Sequence, residues 1–286
     1  MRVATVLANC QAGPIGAMLK NFCSNLQVLD APKVHQLAGG RDKIALECIQ
    51  KSDVIIHQPL GPNFGELSNE ALRTNFPSKT FISFPSIFFG GLFPQLTYLR
   101  KLEGGTLQGP LTDYHDTRII HCFLNNESES QCLAKIISSD PAEIIYYRAA
   151  LDESTLRDKA VNVPVMDILL NEMQKKAPLF TFNHPTNRVL WCLVERILKE
   201  LNEPVPKDVS LPRREYLSNI TAIIPTGISE HLGVSWRCSE YALWDNKIPL
   251  NELVSDFYAT YRNTEKFVEI CKKNVSRFNL PVKLPD

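Results

Sequence analysis

Residues 3–14 of the 286-residue chain read VATVLANCQAGP. The β-branched run Val3–Leu7 predicts a buried strand. Gly13 and Pro14 predict that a helix opens soon afterwards, because proline suits a first helical position. A strand followed at once by a polar turn and a helix is the start of a βαβ unit, and this stretch therefore decides the fold class.

The first half of the chain repeats this alternation of short apolar runs and helical patterns. We predict strands at Val3–Leu7, Val28–Leu29, Val54–His57, Thr80–Phe84 and Ile119–Phe123, and helices at Gly13–Phe22, Arg41–Lys51, Leu67–Asn75 and Pro94–Leu102. Repeated βαβ units build a mainly parallel sheet with helices on both faces. The expected fold class is therefore α/β, a three-layer sandwich.

The second half of the chain is predicted to be mostly helical. The expected helices are Gln131–Ile137, Val165–Lys176, Val189–Leu201 and Leu250–Lys273, with one strand at Leu179–Phe182. Three prolines in the segment 202–212 predict a long loop or linker. We therefore expect an α/β core over residues 1–200 and a mostly helical region, residues 201–286, packed on it.

Composition excludes several classes of protein. The 31 basic and 31 acidic side chains balance, which argues against a nucleic-acid partner. No apolar run approaches the roughly 18 residues of a membrane span, and the first residues lack a signal-peptide pattern, so we expect a cytoplasmic protein.

The eight cysteines form no C-x-x-C pair, which favours reduced thiols and no metal site. No Walker A or dinucleotide-binding glycine pattern is present, which disfavours ATP and NAD.

Cys10 is the strongest candidate for chemistry. Ligands of open parallel sheets bind at the carboxyl ends of the strands, which is where this cysteine falls. A helix that begins next to it is expected to stabilise the thiolate and lower the pKa of Cys10. A buried, inert cysteine is the alternative, but the flanking amides of Asn9 and Gln11 suit the stabilisation of an oxyanion.

The third and fourth predicted strands end in a similar way. His57 and Gln58 follow the third strand and are expected near Cys10, Gln58 as a positioning amide; His57 could equally be structural. The aromatic, glycine-containing segment Phe84–Gly91 could form an apolar slot for an acyl chain or could belong to the core.

Two histidines are candidates for acid–base chemistry. His115 lies between Asp113 and Asp116, a weak signal because these residues are common in loops. His184 follows a strand and precedes a helix, and we prefer it as the base that would activate Cys10. The alternative for His184 is packing against or capping that helix.

Four segments in order carry a resemblance to a known family. They are Asn9-Cys10-Gln11, FPSIFFG at 84–90 followed by Phe93-Pro94, GPLTDYH at 109–115, and NHPTN at 183–187. Over roughly residues 1–200 the chain resembles the WcbI-type polysaccharide-biosynthesis family. That resemblance implies an acetyltransferase that binds coenzyme A on a fold similar to the SGNH hydrolases, with cysteine in place of the usual serine.

Carried onto this sequence, the resemblance implies Cys10 as nucleophile and His184 as candidate base. The residues expected to contact substrate or oxyanion are Asn9, Gln11, Gln58, Ser86, Asp113 and His115, and those expected to bind the cofactor are His57, Asn183, Asn187 and Arg188. One departure is Ala8, where the family pattern leads us to expect glycine, so the local turn could differ.

The expected function is transfer of an acetyl or similar acyl group from acetyl-coenzyme A to a sugar hydroxyl of a capsular or exopolysaccharide. Cys10 could form an acyl-enzyme, or a histidine could activate the sugar directly while Cys10 lines the site. The alternatives are an SGNH-like esterase or deacylase and a module that binds coenzyme A or glycan without catalysis.

Overall fold

The structure is a computed structural model that describes residues 1–37, 41–138 and 140–285. Its strands are β1 (Arg2–Leu7), β2 (Leu26–Leu29), β3 (Val54–His57), β4 (Thr80–Ser83), β5 (Leu96–Tyr98), β6 (Tyr114–Asp116), β7 (Leu179–Thr181), β8 (His184–Pro185), β9 (Ile220–Thr221), β10 (Tyr241–Leu243) and β11 (Asn246–Ile248). Its α-helices are α1 (Ala12–Phe22), α2 (Arg41–Lys51), α3 (Asn69–Asn75), α4 (Thr117–Leu124), α5 (Glu129–Ile137), α6 (Pro141–Asp158), α7 (Met166–Met173), α8 (Asn187–Glu200), α9 (Thr226–His231), α10 (Leu250–Asn263) and α11 (Phe267–Asn274).

The chain forms two compact units whose sequences interleave. The first unit comprises Met1–Ile87, Ser154–Met173 and His184–Tyr216, and the second comprises Phe88–Glu153, Gln174–Asn183 and Leu217–Asp286. Each unit is therefore built from three separate stretches of chain.

The first unit contains a parallel sheet with the strand order β2-β1-β3-β4. Leu7 of β1 pairs with His57 of β3, which in turn pairs with Ser83 of β4, so these three strands end at the same level. The predicted mainly parallel sheet is confirmed. The common level matters because the polar residues that follow these strands must then lie side by side.

Helices cover both faces of this sheet, because side chains alternate between the faces along each strand. On one face, Leu7 and Ile55 are buried together with Ala45 and Ile49 of α2 and Leu72 of α3. On the opposite face, α1 packs against β2 and α8. The predicted α/β class with helical layers around a sheet is confirmed.

The second unit combines small antiparallel sheets with an aromatic helical core. β5 pairs with β6, and β9, β10 and β11 form a three-stranded sheet in the order β11-β10-β9. Phe123 of α4 contacts Tyr258, Tyr261 and Phe267 of α10 and α11 at ring-centroid distances of 5.4–5.5 Å. These aromatic contacts hold three helices together, since each buried ring removes a large apolar area from water.

The prediction of a strand at Ile119–Phe123 is wrong, because this segment lies within α4. The Asp116 side chain accepts a hydrogen bond from the Arg118 backbone amide and so caps the helix at its N-terminus. Ile119, Ile120 and Phe123 recur at helical spacing. A short β-branched run cannot be distinguished from a buried helical segment by its apolar pattern alone.

Two helix predictions are also corrected. The segment Pro94–Leu102 contains strand β5, whose Leu96 pairs with Asp116 of β6. The predicted helix Leu250–Lys273 is two helices, because Lys266 adopts a left-handed conformation with φ of 54° between α10 and α11. The apolar pattern does not reveal that β5 pairs with a strand distant in sequence. It also does not reveal that one left-handed residue divides a long helical segment in two.

The predicted division into a core over residues 1–200 and a mostly helical region over residues 201–286 stays a prediction. Residues 201–216 pack in the first unit. The described residues after 216 belong to the second unit and contain β9, β10 and β11 as well as α9, α10 and α11. The predicted loop at 202–212 is confirmed. Within the described part of the chain, no helix has both the length and the apolar character needed to cross a membrane.

Candidate active site at the carboxyl ends of the parallel strands

The polar residues that follow β1 and β3 form one hydrogen-bonded cluster. The side-chain Oε1 of Gln58 accepts from the Asn9 backbone amide at 3.0 Å, and Gln58 Nε2 donates to Gln11 Oε1 at 3.0 Å. Asn9 Oδ1 in turn accepts from the Gln11 backbone amide at 3.0 Å. Gln11 and Gln58 are buried, whereas Asn9 is half-buried. The two glutamines therefore fix the turn that carries Asn9.

Residues that follow β4 complete this cluster. Asn9 Nδ2 donates to Ser86 Oγ at 2.9 Å, and the Gln11 amide group bonds both the backbone oxygen and the backbone nitrogen of Ile87 at 2.9 and 3.2 Å. Ser86 is half-buried. We call Asn9, Cys10, Gln11, Gln58 and Ser86 the amide cluster. The sequence predicted that these residues converge, and the structure brings them together.

Cys10 contributes the thiol of the amide cluster, and its side chain is half-buried. Its Sγ lies 3.8 Å from Asn9 Oδ1. Burial raises the pKa of the Cys10 thiol, while the positive charge of Lys33 and a backbone hydrogen bond oppose that shift. The expected lowering of this pKa is wrong, because removal of the thiolate from water outweighs the favourable charges. Lys33 itself was missed, since it lies 23 residues away in a polar loop after β2.

The turn around Cys10 tolerates alanine at position 8. Ala8 is not among the residues with positive φ, so the absence of glycine causes no strain there. α1 begins at Ala12, which makes Pro14 the third helical residue rather than the first. Gln11 precedes the helix without capping it, because its side chain bonds to Gln58 and Ile87 instead.

The orientation of α8 determines where His184 lies within the first unit. At the C-terminus of this helix, Arg2 donates to the Leu201 carbonyl at 2.8 Å and pairs with Glu203 at 2.5 Å, and Arg2 is the first residue of β1. The helix packs against α1 and is roughly 21 Å long at 1.5 Å per residue. Its N-terminal end therefore points toward the edge at which β1 ends. His184 immediately precedes that end and is buried.

Comparison with known proteins identifies the family. The family model "Polysaccharide biosynthesis enzyme WcbI" matches residues 3–205. The chain belongs to the WcbI family. The members of this family are named as polysaccharide biosynthesis enzymes, which confirms the resemblance found in the sequence.

A solved structure of WcbI, described as a novel polysaccharide biosynthesis enzyme, shares the fold. It aligns with a TM-score of 0.79 at 19% sequence identity and covers 97% of this chain and 96% of that one. Its description specifies the native protein without a disulfide bond between coenzyme A and a cysteine. A comparison with curated protein sequences gave no significant match.

In this WcbI-family chain, His57 is not part of the amide cluster. Its ring lies 6.0 Å from that of Phe81, and its Nδ1 is 3.0 Å from the Gln58 backbone oxygen. Burial lowers the pKa of His57, the Gln58 backbone oxygen opposes this, and the charge of Arg73 lowers it further. The ring is therefore held neutral on the face of the sheet that α2 and α3 cover. Its role in cofactor binding stays a prediction.

Asn187 and Arg188 begin α8 and have different surroundings. The Asn187 side chain donates to the Pro212 and Arg214 carbonyls at 3.2 and 3.0 Å and accepts from the Tyr216 amide at 3.1 Å. Asn187 thus ties down the loop 202–216. The Arg188 side chain is 45% exposed, and its Nε lies 3.7 Å from a Glu172 carboxylate oxygen. Of this pair, Arg188 is better situated to meet a ligand.

Asn183 and Asp113 belong to the second unit. Asn183 accepts from the Tyr114 hydroxyl at 2.5 Å and donates to the Tyr98 hydroxyl at 3.2 Å. Asp113 accepts from Gln108 Nε2 at 2.5 Å. Asn183 thus connects the half-buried Tyr98 to the buried Tyr114. Such hydrogen bonds can orient the two rings within the fold, and they can equally orient a ligand. The predicted binding roles of both residues stay predictions.

His115 is a fully buried residue of the second unit. One ring nitrogen lies 3.2 Å from the Tyr261 hydroxyl and the other 3.0 Å from the Leu107 backbone oxygen. Burial lowers the pKa of His115 to about 4, although its hydrogen bond to Leu107 and the charge of Asp113 oppose the shift. Both ring nitrogens of His115 therefore lie within hydrogen-bond distance of protein atoms, which is typical of a histidine that stabilises the fold. Its predicted contact with substrate stays untested.

The segment Phe84–Gly91 is largely core. Phe84 in the first unit and Phe89 in the second are both fully buried. In the second unit, a Cβ on Gly91 would lie 2.5 Å from the Phe89 ring, so only glycine fits there. The core alternative is thus confirmed for these positions. Among the described residues, no group of three or more histidine, cysteine or acidic side chains is arranged to hold a metal ion.

Sequence reasoning also missed a buried ionic group in the second unit. Arg118 pairs with Asp116 at 2.7 Å, and Asp116 accepts from the Tyr241 hydroxyl at 2.7 Å. Glu143 lies 3.7 Å from Arg118 and is fully buried, and burial raises its pKa to about 7 while Arg118 opposes the rise. We call Asp116, Arg118, Glu143 and Tyr241 the ionic cluster. Its members come from distant parts of the chain, so only the fold reveals it.

Proposed function

We propose that the protein transfers an acetyl or similar acyl group from a coenzyme A thioester to a sugar hydroxyl during capsular or exopolysaccharide synthesis. The proposal includes an SGNH-hydrolase-like arrangement of the core, in which Cys10 replaces serine, and a cytoplasmic site of action. The observation that carries it is the half-exposed Cys10 thiol held beside Asn9 and Ser86 by two buried glutamines.

The amide cluster supplies hydrogen-bond donors suited to a developing oxyanion. Asn9 Nδ2 carries two hydrogens and gives one to Ser86, and the Ser86 hydroxyl retains its own proton. Fixed donors of this kind stabilise a tetrahedral intermediate without reorganisation at the moment of reaction. Gln11 and Gln58 are buried and bonded to each other, so we assign them the positioning of Asn9 rather than direct contact with substrate.

His184 is the proposed proton carrier. It belongs to the first unit, as Cys10 does, and it precedes the end of α8 that points toward the edge where β1 ends. A histidine near a nucleophile can accept its proton and return it to the leaving group. Thr186, two residues further on, caps α8 by accepting from the Val189 amide, so capping does not require His184.

In the covalent route, the Cys10 sulfur attacks the thioester carbonyl carbon while its proton passes to His184. The bond from the acyl carbon to the sulfur of coenzyme A breaks, and coenzyme A leaves as a thiol with the proton from His184. The sugar hydroxyl then attacks the acyl-cysteine and gives its proton to His184. That proton returns to the Cys10 sulfur as the acyl bond to it breaks.

The raised pKa of Cys10 favours a second route, in which the thiol stays protonated and lines the site. In this route His184 takes the proton of the sugar hydroxyl, whose oxygen attacks the thioester directly, and the proton then passes to the departing coenzyme A. Both routes use the same donors for the oxyanion. They differ in whether the acyl group is ever bonded to Cys10.

The residues present fit an anionic acyl donor. Arg188 is exposed in the first turn of α8, a turn that contains no acidic residue. At this helix end the Asn187 backbone amide already donates to a Glu215 carboxylate oxygen, and the Val189 amide donates to the Thr186 hydroxyl. We therefore assign a phosphate of coenzyme A to the exposed Arg188 side chain rather than to the helix amides. The coenzyme A named for the similar WcbI structure supports this donor.

The first test is incubation of the full chain with acetyl-coenzyme A and a panel of sugar acceptors. We expect release of coenzyme A that depends on the acceptor and, in the covalent route, the added mass of one acetyl group on the peptide containing Cys10. The matched variants are Cys10→Ala and His184→Gln, with Cys192→Ser as control because Cys192 lies on α8 and is not a member of the amide cluster.

The outcomes separate the routes and the rival functions. Full turnover by Cys10→Ala would exclude the covalent route, and full turnover by His184→Gln would remove the proposed base. Release of acetate without any acceptor would identify an esterase or deacylase. Thermal stabilisation by coenzyme A without turnover for any acceptor would identify a binding module, because a ligand that binds only the folded state stabilises it.

A further inference from the structure

The loop after β2 returns to the end of β1 and brings a positive charge to Cys10. The Val34 backbone amide donates to the Ala8 carbonyl at 3.0 Å, two residues before Cys10. Lys33 immediately precedes Val34, and its carbonyl accepts from the Gln36 amide at 2.8 Å, which closes the short 3-10 turn Val34–Gln36. Lys33 is half-buried. These two backbone bonds fix the position of the residue that carries the charge.

Apart from Lys33 and the proposed base His184, the groups of the first unit that we place around Cys10 are neutral. The amide cluster contributes amides and one hydroxyl, and the first turn of α1 contains no acidic residue. His57 faces the opposite side of the sheet beside Phe81. Lys20 lies at the other end of α1 and pairs with Asp30. Lys33 is the charge that acts on the thiol against the effect of burial.

We propose that Lys33 is a positioning residue for Cys10, whose ammonium group favours the thiolate form in which the sulfur attacks a thioester or another electrophile. The inference deepens the proposed function and rests on its covalent route. It explains how a thiol in a partly desolvated site can react, since the thiolate and not the thiol is the nucleophile. The two backbone bonds that hold the loop fix the main chain from which the Lys33 side chain extends.

The expected effect of removing this charge has a characteristic dependence on pH. A rise of one unit in the pKa of Cys10 lowers the thiolate fraction about tenfold at neutral pH. The more basic thiolate is, however, roughly threefold more nucleophilic. Lys33→Met is therefore expected to react about threefold more slowly at neutral pH and about threefold faster once the thiol is fully ionised. Damage to the fold would slow the reaction at all pH values instead.

The experiment measures alkylation of Cys10 by iodoacetamide across a range of pH, using mass spectrometry of the peptide. The sulfur attacks the methylene carbon, iodide leaves, and the thiol proton passes to solvent. The proteins compared are the wild-type full chain, Lys33→Met, Lys33→Arg, and Lys20→Met as a matched control. Cys192, which is half-buried on α8 and lies near Arg188 and Glu195, serves as internal reference.

The inference is supported if the pH profile of Cys10 alkylation in Lys33→Met crosses the wild-type profile while the profile of Lys33→Arg matches it. The Cys10 profile of Lys20→Met and the Cys192 profile of every variant must also equal those of the wild type. The inference is overturned if Lys33→Met leaves the Cys10 profile unchanged, if it slows alkylation at every pH, or if wild-type Cys10 is not alkylated at all. The readout needs no acyl acceptor. A crossing profile without acetyl transfer would refute the proposed function alone, and transfer with an unchanged profile would refute only the role of Lys33.

Discussion

The amide cluster of the first unit and the ionic cluster of the second both gather polar side chains beside strand ends, but they use them differently. In the amide cluster, buried Gln11 and Gln58 bond to each other and leave Asn9, Cys10 and Ser86 half-buried. In the ionic cluster, Asp116 is fully buried and its carboxylate bonds both Arg118 and Tyr241.

This difference teaches that access to the surface, rather than residue type or the number of partners, distinguishes the two clusters, since both carboxylate oxygens of the buried Glu143 lack a hydrogen-bond partner among the described residues. Asp, Arg, Tyr and Glu are as reactive in principle as Cys and Asn. Charges that are buried and paired mainly stabilise the fold when intact and cost much when one partner is lost. Polar groups that reach the surface from a buried scaffold remain able to contact a substrate.

The largest expected effect is that of Arg118→Met, which leaves the fully buried Asp116 without its ion-pair partner. We expect a loss of about 3–5 kcal/mol in the free energy of unfolding. Urea unfolding followed by circular dichroism measures it. The control is Arg196→Met, whose pair with Asp167 is partly exposed and is expected to contribute about 1 kcal/mol or less. Equal effects of the two variants would contradict the assigned role of the ionic cluster.

His115 should make stability depend on pH. Its pKa falls from 6.5 to about 4 on folding, so the unfolded chain binds its proton more readily. The contribution of the neutral His115 ring to the free energy of unfolding is therefore fully present above the unfolded pKa of 6.5. It is lost as the pH falls from there to about 4, by about 3 kcal/mol in total. His115→Gln should remove this component from unfolding curves measured at several pH values.

The control for that measurement is His231→Gln, at an exposed position at the end of α9. Glu143 acts with the opposite sign, because its raised pKa costs stability as the pH rises toward about 7. Its contribution is common to the wild type and to both histidine variants, so it cancels in the comparison. A His115→Gln curve parallel to the wild-type curve would show that His115 is not held neutral.

The next effect concerns turnover. Asn9→Ala removes the proposed donor to the oxyanion, and we expect the release of coenzyme A from acetyl-coenzyme A to slow by about 100-fold. Stability should fall far less than in Arg118→Met, because Asn9 is half-buried and water can replace its bonds. Asn21→Ala, at an exposed position on α1, is the control. A variant that is destabilised but fully active would place Asn9 with the structural residues.

The smallest expected effect is that of Arg188→Met on the binding of coenzyme A. An exposed arginine contributes modestly, so we expect the dissociation constant to rise about threefold to tenfold with no change in stability. Thermal shifts across a coenzyme A titration measure both quantities. Asn187→Ala is the contrasting neighbour, since it should loosen the loop 202–216 and lower the melting temperature without ligand. Unchanged affinity in Arg188→Met would remove it from the site.

Much of the first unit could be predicted from the sequence, because its signals are local. β3 and α2 were predicted at their observed bounds, Val54–His57 and Arg41–Lys51, and β1 within one residue, since continuous apolar runs and helical spacing mark them. The second unit was harder. Ile119–Phe123 is helical and Leu96–Tyr98 is a strand, and both outcomes depend on pairing and packing with distant residues.

The sequence by itself determined the α/β class, the family, and the convergence of Asn9, Gln58 and Ser86, because parallel strands that end at one level must present their next residues together. Only the tertiary structure decided which polar side chains remain exposed to solvent. Burial holds His115 and His57 neutral and raises the pKa of Cys10. Burial and charge depend on every neighbour in space, and the loop that brings Lys33 to Cys10 is adjacent to it only in the folded chain.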